Sequence, residues 1–313
     1  MTSLAADQDG WQGWGTIFIV VLLGAAPTLT MVICITGLHQ VVLALVMMHW
    51  VCMGLLTALF ITFTSAWPYY NGLMKSQLER WPEQLGWSIV AFCVMVGACF
   101  IGYAVLKCGG IFPWLCMPLR PKNIIQEGFN YSETNAWLVG MYFTIVNPVF
   151  EEFFWRLVLY RELGGRLFAL DEGEFLPLRD RVATAESPSP RQPVGNAAAD
   201  GVAIDVSPTS HRDVEGGATC HDSAGTFHDV RLSEVGKMVV SMFYGTYHVV
   251  VVYHLVNTLY AALAFVFLTM FGRLLIICRN TKSLGILTAT AAHSGLDLGV
   301  VLAIANVLFY KWV

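Results

Sequence analysis

The sequence predicts an all-α, polytopic transmembrane helix bundle, and three observations carry that reading. Hydrophobic residues make up 56% of the 313-residue chain and charged residues only 13%, where soluble domains run near 25% charged. The mean hydropathy is +0.60. From Trp14 to Trp67 there is no charged residue at all. As one helix that tract would be about 80 Å long, against a hydrocarbon core of about 30 Å. It therefore holds two spans, with the turn at His39-Gln40.

The remaining elements follow in order. Residues 1–13 are polar and lack the basic region of a signal peptide. After the first two spans comes a polar loop with Lys75, Glu79, Arg80 and Glu83, and residues 86–106 form the third span. Gly109-Gly110, Pro113, Pro118 and Pro121 mark a loop over 107–135. The fourth span runs from Asn135 to about Leu163. Residues 171–234 differ in kind: rich in Pro, Ser, Gly, Ala and Asp, with Ser187-Pro188-Ser189-Pro190, they read as a disordered insert. The apolar stretch from Val235 to Cys278 is again too long for one span and splits near Tyr253–Asn257. Arg279-Asn280-Thr281-Lys282 is a polar turn, and residues 284–311 read as two short spans with a bend near Asp297 or Gly299. The total is about eight spans, with the long disordered loop between the fourth and fifth. The chain thus divides into N-terminal membrane helices (1–170), the insert (171–234) and C-terminal membrane helices (235–313).

Lys and Arg set the expected orientation. Lys75, Arg161, Arg273 to Lys282 and Lys311 fall on one side of an eight-span chain, and Lys107, Arg120 and Lys122 on the other. The first side, with both termini and the insert, is expected to be cytosolic. A net charge of −4 and the lack of a basic run exclude nucleic acid as an expected partner. Most of the eight cysteines, such as Cys34, Cys52, Cys93, Cys99 and Cys278, lie in apolar tracts without CxxC spacing, and read as apolar filler.

Ionisable residues inside apolar segments are costly and usually functional. Three groups stand out. In Glu151-Glu152-Phe153-Phe154-Trp155-Arg156, Glu152 and Arg156 are four apart, in the favourable order for an ion pair. Glu151 is rotated roughly 100° from Glu152 and has no local partner, which leaves it free for chemistry. The competing reading is a span end in headgroup water. In Phe243-Tyr244-Gly245-Thr246-Tyr247-His248, Tyr244 and His248 share a face, with His254 following; a structural histidine is the alternative. In His293-Ser294-Gly295-Leu296-Asp297, the Asp four residues on can orient the imidazole or pin two helices together. His39 and His49 read as structural or interfacial.

A carboxylate, two imidazoles and an Asp within one bundle are the parts a peptide hydrolase needs: a base for water and donors for the oxyanion. No GxSxG and no HExxH occurs. Two His and a Glu could still hold zinc as a three-ligand open site.

In this order, EExxxR, aromatic-xxx-His and HxxxN/D resemble the motifs of the CPBP family of CAAX proteases and bacteriocin-processing or immunity proteins, which includes the type II CAAX prenyl endopeptidases, or Ras-converting enzymes. Glu151-Glu152 to Arg156 matches the first motif, Tyr244 to His248 the second with Tyr for the usual Phe, and His293 to Asp297 the third with Asp for the usual Asn. The likeness covers about residues 135–166 and 235–300. It implies a glutamate-type intramembrane endopeptidase that removes the last three residues of prenylated CAAX proteins, acting in the endoplasmic reticulum from the cytosolic side. It further implies that Glu151 and His248 activate water, that His293 and Asp297 stabilise the oxyanion, and that Glu152, Arg156 and Tyr244 support the site. No cofactor is expected. The rivals are a zinc protease on Glu151, His248 and His293, and a catalytically silent scaffold or immunity-type protein. The Asp297 departure matters because an ionised Asp cannot donate to an oxyanion as Asn can.

Overall fold

Charge-free runs form long helices because, in lipid, every backbone N–H and C=O must be satisfied within the segment. The structure, a computed structural model, describes residues 3–108, 125–126, 132–170 and 230–310. Its helices are α1 (Ser3–Met31, continued by Val32–Gly37), α2 (Val41–Phe63), α3 (Trp67–Leu78), α4 (Trp81–Cys108), α5 (Glu133–Glu151, continued by Glu152–Gly165), α6 (Glu234–Leu255), α7 (Thr258–Asn280) and α8 (Gly285–Tyr310). Six of the described helices are long and apolar enough to cross a membrane; α3 is too short, and α5 is the helix that carries the charges. The all-α polytopic class therefore holds. Residues on the two sides of the insert belong to one compact unit, so the two membrane segments read from the sequence build a single bundle.

Most element boundaries follow local chemistry. His39, at φ 54°, makes the sharp turn between α1 and α2. The Ser132, Ser233 and Asn257 side chains cap α5, α6 and α7 by accepting from the backbone N–H three residues on. Of the loop expected over 107–135, residues 107–108 still belong to α4 and Glu133 already opens α5, while most of the rest and the bulk of the 171–234 insert lie outside the described residues. The last residues of that insert are an exception to the expectation: Ala169 pairs with Leu232 in an isolated antiparallel bridge. Leu232 is buried against Gly164 and Gly236, which anchors both edges of the insert at one place.

The last apolar stretch departs from the sequence reading. It is one continuous helix, Gly285–Tyr310, unbroken through Asp297 and Gly299. The glycines serve packing instead. A Cβ on Gly295 would come within 2.4 Å of the Phe92 carbonyl oxygen, and one on Gly299 within 2.5 Å of Cys99 Cβ. α4 and α8 therefore run side by side in the same direction, from Ser88 beside Thr288 to Tyr103 bonded by Asn306. Small residues permit this close approach in membrane bundles. Replacing Gly295 by Leu is expected to lower melting temperature and membrane abundance, since overpacking costs about 1–3 kcal/mol and its nearest obstacle is backbone. Gly97→Ala, with nothing within 4 Å of the new Cβ, is the matched control and should be neutral.

One continuous last helix also corrects the expectation that both termini share a side. α1 runs parallel to α6, with Thr28 beside Thr246 and Thr36 beside His254. α8 ends where α5 begins, with Trp137 donating to the Tyr310 hydroxyl at 3.2 Å. The start of α1 and the edges of the insert are thus at one end of the bundle, and Tyr310 is at the other.

Side chains sort opposite to a soluble protein. Ile89, Val90, Val94 and Ile101 of α4 face outward, while Asn147, Glu151, Glu152, Arg156, His293 and Asp297 are buried. An apolar exterior around a polar interior is what a bilayer solvent selects.

Candidate active site

Three helices bring the sequence motifs together, and a fourth adds a residue. α5 supplies Glu151, Glu152 and Arg156; α6 supplies Tyr244 and His248; α8 supplies His293 and Asp297. α2 contributes His49. Glu151 and Arg156 have no exposure and Glu152 has 1%, so this cluster is not a span end resting in headgroup water.

His293 is the hub. Its Nδ1 is 2.8 Å from Glu152 Oε1, and its Nε2 is 3.6 Å from Glu151 Oε2 and 3.9 Å from Asp297 Oδ2. The Tyr244 hydroxyl is 3.2 Å from the same Nε2. A carboxylate on Nδ1 fixes that nitrogen as a donor and points Nε2 at the remaining groups. Glu152 also pairs with Arg156, with Nε 3.4 Å from Oε2. The expected ion pair is therefore present, and Glu152 has a second, long-range partner that the sequence reading did not contain. Arg156 stacks its guanidinium 4.3 Å above the Tyr244 ring.

Glu151 is placed differently. Neither of its oxygens has a hydrogen-bond partner among the described residues. The nearest imidazoles are His293 at 3.6 Å and His49 Nε2 at 4.0 Å, with His248 in electrostatic reach. His248 Nδ1 is 3.0 Å from the Tyr244 carbonyl and so donates to it, leaving Nε2 as an acceptor. The His248 ring lies against Tyr247, with centroids 3.9 Å apart. Both residues line an apolar groove of about 120 Å³, walled by Met31, Leu45, Phe143 and Val251 among others.

No protein-family model, curated protein or solved structure matches this chain.

Two site residues escaped the sequence reading. His49, taken as structural or interfacial, is fully buried beside Glu151 and bonded to Asn147. Asn147, not singled out, donates from Nδ2 to Asp297 Oδ2 at 2.8 Å. A signal existed for both: a His within a charge-free span, and an Asn four residues before Glu151 on the same helical face. His254 is apart from the cluster, bonded to Thr36 on the surface, and His39 sits in its turn. Among the described residues no group of three or more His, Cys, Asp or Glu side chains is arranged to hold a metal ion.

Chemically, the cluster offers one carboxylate without a hydrogen bond, one imidazole acceptor beside it, and one imidazole held by a second carboxylate. That is a base, a group able to orient water, and a cationic donor once His293 is protonated.

Proposed function

We propose that the chain is a glutamate-type intramembrane endopeptidase acting on prenylated CAAX-type C-terminal peptides. The observation that carries this reading is the contrast between the two glutamates: Glu152 is committed to His293 and Arg156, whereas Glu151 is buried between imidazoles with both oxygens unbonded. In this mechanism Glu151 takes a proton from water oriented by His248 Nε2. The oxygen adds to the scissile carbonyl carbon. The resulting oxyanion is held by protonated His293. Collapse breaks the C–N bond, and the leaving amine takes the proton from Glu151. Glu152, paired with Arg156, holds His293, and Tyr244 contacts both His293 and Arg156.

The substrate class rests on the resemblance of the EExxxR, YxxxH and HxxxD motifs to the CPBP family. Lys75, Arg80, Arg166, Lys237 and Lys282 lie at the bundle end that carries the insert. By the bias of Lys and Arg toward the cytosol, that end is cytosolic, and the membrane is the endoplasmic reticulum, where CAAX processing takes place.

Chelation separates this mechanism from the zinc reading on Glu151, His248 and His293. Cleavage of a farnesylated peptide by the purified protein should persist in strong chelators, with metal far below one equivalent. Activity lost with zinc and restored by it would replace the mechanism with a metalloprotease.

A further inference from the structure

The Asp at 297 leaves the site short of an amide donor, and Asn147 is placed to provide one. Asn147 is fully buried and four residues before Glu151 on α5, hence on the same face. Its Oδ1 accepts from His49 Nε2 and its Nδ2 donates to Asp297 Oδ2 at 2.8 Å. These two bonds fix the amide orientation, because the flipped amide would set its carbonyl against a carboxylate oxygen. His49 is in turn held at Nδ1 by the Tyr142 hydroxyl, 3.2 Å away. Asn147 Nδ2 carries a second N–H, for which the described residues offer no acceptor. The Asp297 oxygen it binds is the one 3.9 Å from His293 Nε2, so the amide borders the side of the imidazole that faces Glu151.

Resting on the peptidase reading, we infer that Asn147 is a catalytic residue that donates its second N–H to the oxyanion, with Asp297 and His49 as the positioning residues that aim it. When water adds to the carbonyl carbon, the π pair moves onto oxygen. That oxygen is held by His293 Nε2–H and Asn147 Nδ2–H. Collapse re-forms C=O and expels the amine, which carries away the proton that Glu151 removed. The amide donor thus sits on α5 and its carboxylate partner on α8.

The test is a pair of variants of the full-length protein in nanodiscs, assayed on a farnesylated peptide. N147D keeps the side-chain shape and an acceptor for His49 but removes the N–H. Its kcat should fall about 10²–10³-fold, the loss typical of one oxyanion donor, with KM changed less than about twofold. Affinity for a phosphinic peptide, whose P–O⁻ mimics the oxyanion, should fall in step with kcat. N147D/D297N moves the amide to α8 and the carboxylate to α5, and should recover most of the kcat and of the phosphinic affinity. This double variant also keeps the test readable where two adjacent carboxylates prevent N147D from folding. Wild-type kcat in folded N147D, or a folded double variant without recovery, overturns the assignment and leaves the peptidase reading intact. Wild-type protein that cleaves nothing overturns both.

Discussion

Replacing Glu151 by Gln is expected to lower cleavage by about 10²–10⁴-fold, the range for loss of a general base, in a protein that folds and accumulates normally. Gln keeps the size of the side chain and removes only its basicity and charge. The variant should also melt at or above the wild-type temperature. A fully buried carboxylate without hydrogen-bond partners is a cost to the fold, and a neutral amide lessens it. Activity lost while stability holds or rises is the signature of a site kept at the expense of the fold. Peptide turnover and thermal melting of the same preparation check both halves.

Glu152 and Arg156 should behave in the opposite manner. Glu152→Gln leaves Arg156 buried without its counter-charge and loosens His293 Nδ1. Breaking one side of such a pair costs about 3–5 kcal/mol, so the expected result is low abundance and a depressed melting temperature, with activity falling in step. Arg156→Gln should resemble it, with a further loss from the contact over Tyr244. The double variant should be milder than the sum of the singles, because the two groups share one interaction. A stable, abundant but inactive Glu152→Gln protein, together with normal cleavage by Glu151→Gln, would mean that Glu152, not Glu151, is the base.

The sequence made the charged cluster on α5 conspicuous, because EExxxR between apolar runs has few other uses in lipid. The structure brings residues of the three motifs together around His293. What a 3.6-residue period could not supply is where the two glutamates converge. Set roughly 100° apart on a regular helix, they were expected to face different surroundings, yet both reach His293, which offers a nitrogen to each. From Glu152 onward the helix also widens into i→i+5 turns, a geometry that recurs at functional sites. The Glu152–His293 bond spans 141 residues, and no local pattern reports it.

The His49–Asn147 contact was hidden for a related reason. Neither residue is charged, and each sits in a tract whose apolar neighbours dominate its reading. Gly299 was misread more directly. Beside Asp297 it resembles a helix break, but with Gly295 it is the flat surface against which α4 packs. The distinction depends on a neighbour 200 residues away in the chain, which composition does not encode. By contrast, the turns at His39-Gln40 and Asn257 were legible, because a positive φ and a helix cap are local demands.

The central claim is peptide-bond hydrolysis inside the bundle, and the most direct measurement is product identification. Purified wild-type protein in nanodiscs would be incubated with a farnesylated CAAX peptide, and the released fragment weighed by mass spectrometry. The mechanism predicts the intact C-terminal tripeptide from wild type and none from the Glu151→Gln variant. Equal release by the two proteins, or no cleavage by a well-folded wild type, would contradict it.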